Sequence, residues 1–266
     1  MSFDLLDAVL PAEGRYCVIG IGSYPDQRLV STREELNKIV ERFLERKLNV
    51  FFACAKFGEQ NNRTQENAEY FRSLWIDLDC GAHKVAENKG YADQEAGLQA
   101  LREFCKKANL PKPIIVDSGY GLHIYWLIEE VLRRHQWEPL AKRLRELCNE
   151  HGLIVDPAVF EASRVLRIPG TFNFKFDTQE EVRVVSERSD RIKYEELQAI
   201  LGSAPPREPA PDFIPRGMSP MMEALLSNRI KSFKKIMVRS AKGDGCAQLL
   251  HCYENQATLE ELSLIH

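Results

Sequence analysis

The stretch Leu74–Cys80 reads LWIDLDC, with two aspartates where a buried strand should be apolar. The residues before it, Tyr70 to Trp75, are largely aromatic and aliphatic, and Ile76 and Leu78 interleave with Asp77 and Asp79. In an extended strand, residues two apart share a face. The spacing therefore predicts both carboxylates side by side, with Ile76 and Leu78 turned the other way into a core. Two carboxylates so placed repel each other and resist leaving water, so the pair is costly without a positive bridge. A hard divalent cation such as Mg2+ or Mn2+ meets that need, because carboxylate oxygens suit it. The bland alternative is a strand emerging at a solvent edge, with both aspartates hydrated beside the CGAHK turn.

Outward from this strand, the first half of the chain alternates strand-like and helix-like segments. RYCVIGI, from Arg15, is a short apolar run bounded by Gly14 and Gly22 and reads as a strand. STREELNKIVERFLERKL follows; Thr32 and Glu35 have capping-box spacing, and Leu36, Ile39, Val40, Phe43 and Leu44 form one helical stripe. NVFFACAKF, from Asn49, reads as a buried strand. Gln94 to Asn109 has the period of a helix, and VLRRHQWEPLAKRLRELCNEHG, from Val131, reads as another, with a bend at Pro139 and an end at Gly152. SAPPREPAPDFIPRGMSP, residues 203–220, holds six prolines and no apolar period, which predicts an extended linker. Residues 221–266 have helical periodicity and a locally basic run, NRIKSFKKIMVRSAK. They read as a small helical C-terminal segment, docked on the main body or opening a further domain.

Two more segments carry chemistry. DSGYGLHIYW, from Asp117, places Ser118, Gly119 and Gly121 at a turn and His123 on the next strand. Glycines let backbone N–H groups approach an anion, and a serine hydroxyl and an imidazole can donate to phosphate oxygens. VDPAVFEASRVLRIPGTFNFK, from Val155, supplies Asp156 as a third carboxylate and Arg164, Arg167 and Lys175 as cations, with a turn at PGT. Arginine forks and a lysine point charge suit a triphosphate. Asp117 and Glu161 compete with Asp156 for the third carboxylate position.

The bulk numbers exclude little. The 266 residues are 44% hydrophobic and 28% charged, with a formal net charge of −3, which fits a folded chain and gives no global attraction to nucleic acid. The seven cysteines form no C-x-x-C pair, which argues against a zinc knuckle or disulfide framework. With no signal peptide and no apolar run of transmembrane length, the expectation is a cytoplasmic protein without a membrane partner.

The order WIDLD, SGYGLHIYW, and VDP followed by RVLRIPGTFNFK resembles the archaeo-eukaryotic primase superfamily, in particular the primase–polymerases of phages, plasmids and related mobile elements. The resemblance spans roughly Tyr70 to Leu201. It implies an α/β (α+β) fold, with an N-terminal αβ unit beside an RRM-like antiparallel sheet backed by helices and the active site between them. The catalytic domain would be residues 1–202. The implied reaction is template-directed joining of NTPs or dNTPs on single-stranded DNA in the host cell cytoplasm. Two Mg2+ or Mn2+ ions would sit on Asp77, Asp79 and Asp156, and Ser118, Gly119, His123, Arg167 and Lys175 would bind the nucleotide. A helicase domain or subunit is the implied partner, although the chain itself has no G-x-x-x-x-G-K-[ST] motif. Two other classes compete: a metal-dependent nuclease or replication initiator, which wants a histidine pair where only His123 stands, and a noncatalytic RRM-like single-strand binder, which leaves the aspartate pair unexplained.

Overall fold

The computed structural model describes residues 4–202 apart from 177 and 188; the expected linker and C-terminal helical segment lie outside these residues. The chain runs α1 (Leu5–Val9), β1 (Tyr16–Ile21), β2 (Pro25–Val30), α2 (Arg33–Glu45), β3 (Asn49–Ala53), β4 (Lys56–Phe57) and β5 (Ala68–Asp79). It continues with α3 (Ala82–Ala86), α4 (Gln94–Lys107), β6 (Ile114–Asp117), β7 (Gly121–Arg133), α5 (Arg134–Glu150) and a 3-10 turn at Pro157–Phe160. The last elements are β8 (Val165–Arg167), β9 (Phe172–Asn173), β10 (Glu180–Glu181), β11 (Arg183–Ser186) and α6 (Tyr194–Leu201).

Three antiparallel sheets result: a small four-stranded sheet of order β2-β1-β3-β8, a large five-stranded one of order β11-β6-β7-β5-β4, and the two-stranded pair β10-β9. This is the mixed architecture that the resemblance implies, with an N-terminal αβ unit and a five-stranded antiparallel sheet. Among the described residues, no helix is long and apolar enough to cross a membrane.

Local chemistry explains the elements. Thr32 Oγ1 accepts from the Glu35 N–H at 3.2 Å while Glu35 Oε2 accepts from the Thr32 N–H at 3.2 Å, so the expected capping box starts α2. The helix lays Leu36 and Phe43 against the small sheet, and Gly20 in the middle of β1 makes room for it. A Cβ at Gly20 would stand 2.8 Å from the Phe43 ring and from Leu48. Strand β2 is mostly polar and owes its state to register with β1, from Tyr16↔Val30 to Ile21↔Pro25, not to an apolar run of its own.

The helix expected from Val131 begins at Arg134. Leu132 and Arg133 pair with Phe71 and Tyr70, so the sheet holds the first three residues of that segment. Pro139 lies inside α5 without ending it, and Gly152, at φ +71°, follows its end. On β5, Ile76 and Leu78 are fully buried, as their spacing predicts. They share a face with Leu122 and Trp126, over which α4 sets Phe104 edge-on to Trp126. The opposite face carries Trp75, Asp77 and Asp79. At its Trp75 end it is closed by aromatic packing, with the Trp137 ring of α5 4.7 Å from Trp75 and 4.6 Å from Phe71.

Candidate active site

The register of the large sheet sets the first half of the site. Asp77 on β5 pairs with His123 on β7, and Asp79 pairs with Gly121, so both aspartates and the histidine project from one face. Gly121 leaves that face low beside Asp79; a Cβ there would stand 2.6 Å from the Leu78 carbonyl oxygen. The second half comes from the chain around β8. This strand belongs to the small sheet through Phe51↔Arg167 and brings Arg164 and Arg167 to the same cleft.

Asp77 sits deepest. Burial first, and the charge of Asp79 second, push its carboxyl up to about 7, while Arg164 pulls it down. Arg164 Nη2 lies 3.5 Å from Asp77 Oδ2 and also bonds Asp156 Oδ2, so one guanidinium nitrogen touches both carboxylates. The Asp156 N–H donates to the Asp77 carbonyl at 3.1 Å, and Asp156 Oδ1 accepts from the Ala158 N–H as the cap of the 3-10 turn. Asp156 does not line the cleft itself but contacts Asp77 through Arg164 and its own N–H.

Of its two competitors, Asp117 points to the other side of the sheet, where Oδ1 takes hydrogen bonds from Gln94 at 2.6 Å and the Gly119 N–H at 2.8 Å. Glu161 is exposed.

His123 is 4% exposed, and burial, followed by the charges of Arg167 and Arg164, pushes it down to about 3. At neutral pH the ring is therefore neutral, with one N–H donor. Its Nε2 is 3.9 Å from Asp77 Oδ1, and its buried Nδ1 has no hydrogen-bond partner among the described residues. A buried ring nitrogen without a partner, beside a polar cleft, is suited to a ligand.

Arg167 lies 4.6 Å above the Phe51 ring with Nη1 2.8 Å from Asn49 Oδ1; burial lowers it to about 10, still protonated at neutral pH. Ser118 and Lys175 line the same cleft. Gly119, at φ +94°, shapes the turn between β6 and β7, but its N–H is engaged by Asp117 and is not turned to the cleft.

Several partners escaped sequence reasoning. Lys84 on α3 holds Asp79 Oδ2 at 2.7 Å. Asn49 accepts from both Arg167 and the Phe174 N–H, and Asn173 donates to the Ser118 carbonyl. The only local signal for Lys84 was its place in the turn directly after the acidic pair.

The donor set suits a hard cation. Three carboxylates supply oxygen only, and the nearby Cys80 thiol is pushed up to about 12 by burial and by Asp79, so it stays protonated. A cation beside Asp77 would relieve the burial and repulsion that raise its carboxyl. Among the described residues no group of three or more metal-ligating side chains stands together; Lys84 and Arg164 hold carboxylate oxygens of Asp79 and Asp156.

No family model matches the chain. Its fold is similar to that of the archaeo-eukaryotic primase domain of the cyanophage S-2L primase-polymerase, with a TM-score of 0.53 and 16% identity over 71% of this chain and 88% of that one. The catalytic domain of the primase RepB′ in complex with initiator DNA gives a TM-score of 0.45 at 16% identity, over 70% and 83% of the two chains. A replication protein of Clostridium perfringens is 30% identical over 133 residues, 49% of this chain. The chain spans 30% of the length of that relative. The likeness to the solved structures is one of fold.

Proposed function

We propose that residues 4–202 form the catalytic core of a DNA primase-polymerase, a template-directed nucleotidyltransferase acting in the replication of a phage or plasmid. One observation carries the reading. Asp77 and Asp79 stand side by side, in register with a neutral His123, on the same cleft as Arg167 and Lys175. A carboxylate pair among cations fits a site that takes a metal and a polyphosphate together.

In this reading a 3′-hydroxyl attacks the α-phosphate of an NTP or dNTP paired to single-stranded DNA. The new P–O bond forms as the bond to pyrophosphate breaks. Asp77, Asp79 and Asp156 would hold two Mg2+ or Mn2+ ions, which when bound make the hydroxyl a better nucleophile and offset charge on the leaving oxygen. Arg167, set by Asn49 and Phe51, offers fixed N–H donors to the triphosphate, and the exposed Lys175 a mobile charge. His123 donates its ring N–H to a phosphate oxygen, and the Ser118 hydroxyl orients another. Asp156 must leave Arg164 to serve as a ligand, which frees that guanidinium for phosphate. A helicase domain or subunit fits as a partner that opens the duplex.

The test is extension of a single-stranded template, with and without primer, by the full chain and its Asp77→Ala/Asp79→Ala variant. The expected result is Mg2+- or Mn2+-dependent product from NTPs or dNTPs that disappears in the variant. Template cleavage without incorporation would replace the polymerase by a nuclease.

A further inference from the structure

Asp79 is paired with a cation that the expected machinery does not include. Lys84 comes from α3, and the segment carrying it is tied to the end of β5 at both sides. The Gly81 N–H donates to the Tyr91 carbonyl at 2.8 Å, the Tyr91 N–H to the Asp79 carbonyl at 2.9 Å, and the Lys89 N–H to the Lys84 carbonyl at 2.9 Å. Gly90 lets this loop close, since a Cβ there would stand 2.3 Å from the Asp79 carbonyl oxygen and 3.0 Å from Lys84 Cβ. Backbone hydrogen bonds, and not only the ion pair, therefore hold the Lys84 main chain beside the aspartate. Its side chain is 19% exposed, against 67% for Lys89 five residues on, so this is not the usual solvated surface lysine.

The other cations at the cleft are held differently. Arg164 bridges Asp77 and Asp156, Arg167 rests on Asn49 and Phe51, and Lys175 is exposed near the Phe176 ring. Lys84 has three N–H donors, and among the described residues it gives one hydrogen bond, to Asp79 Oδ2. A divalent cation that takes Asp79 Oδ2 competes with Lys84 for that oxygen. The ammonium it displaces keeps its charge, because the ordinary pKa of a lysine, about 10.4, lies well above neutral pH. It is then a point charge on a flexible stem at the edge of a cleft suited to polyphosphate.

We propose that Lys84 is a phosphate-binding residue that exchanges partners: it pairs with Asp79 until a nucleotide enters with its divalent cation, and then with the triphosphate. This rests on the nucleotidyl-transfer reading of the site. The exchange opposes binding of the cation alone and favours the cation–nucleotide complex, so the chain takes both together.

Titration calorimetry on the full chain tests this, using Mn2+ alone, and ATP or dATP with Ca2+, against wild type, Lys84→Met and Lys84→Arg. Lys84→Met should bind Mn2+ alone more tightly, while its affinity for the Ca2+–nucleotide complex falls about tenfold, the scale of one charge-assisted hydrogen bond. Lys84→Arg should recover most of the nucleotide affinity. Unchanged nucleotide affinity in Lys84→Met would overturn the exchange and leave Lys84 as a counter-ion of Asp79. Weaker Mn2+ binding in that variant would also overturn it, since Lys84 would then support Asp79 and not compete for it. A wild-type chain that binds neither nucleotide would instead sink the reading of the site, and the exchange with it.

Discussion

The β5–β7 strand pair does opposite things at its two ends. Around Phe71 and Trp75 it is closed, with Trp137 stacked on both rings, its Nε1 donating to the Ser73 carbonyl at 3.0 Å, and Trp75 Nε1 donating to the Val159 carbonyl at 2.8 Å. Two residues beyond Trp75, the same strand carries Asp77, raised by burial, and then Asp79, held by Lys84. The ladder is continuous from Ser73↔Leu127 to Asp79↔Gly121, and its register shifts between Phe71 and Ser73, at the aromatic end. From Trp75 to Asp79 the change is one of side chains. The aromatic end stabilises the sheet, and the acidic end carries a cost that folding does not explain.

The comparison is broken most forcefully at the aromatic end. Trp137→Ala removes the ring between Phe71 and Trp75 and leaves the Ser73 carbonyl buried without that donor. It should lower unfolding free energy by about 3–5 kcal/mol in a urea titration. A loss under about 1 kcal/mol would mean that the stack is not what holds this end together.

The smallest effect belongs to a charge on the same strand pair away from the cleft. Glu69 meets Arg133 at 3.1 Å with both side chains well exposed, and Arg133 also lies 4.1 Å over the Tyr70 ring. Glu69→Gln should change stability by less than about 1 kcal/mol by the same titration, because water and salt screen such pairs. A loss above about 2 kcal/mol would show that charge stabilises this strand pair and would blur the contrast between its ends.

What could be read in advance follows the range of the forces involved. Asp77, Asp79, Ser118 and His123 were legible because strand alternation and a glycine turn are local patterns. The Thr32 capping box and the end of α5 at Gly152 were legible for the same reason. Arg164 between Asp77 and Asp156 depends on a contact 87 positions along the chain, and Arg167 on Asn49 one 118 positions along. The pairing of β8 with β3, which carries both arginines to the cleft, has no local signature. Strand β2, written in polar residues, and the first three residues of the helix expected from Val131 were decided by sheet register. Gly119 illustrates the opposite limit: a glycine turn can be recognised from sequence, but whether its N–H is free depends on Asp117 and the turn it caps.

The most direct measurement is the stability of Asp77→Asn against pH, with chelator present, beside its template-directed extension with Mg2+ or Mn2+. Burial and Asp79 raise Asp77 from 3.8 to about 7, so over that interval the folded chain keeps a proton that the unfolded chain has released. Stability contributed there is full below 3.8 and falls as pH rises toward 7. The variant should lose that slope, be at least as stable as wild type at neutral pH, and make no product. A variant that unfolds more easily at neutral pH, or extends a primer at the wild-type rate, would contradict the claim that this carboxylate is kept for chemistry at the expense of the fold.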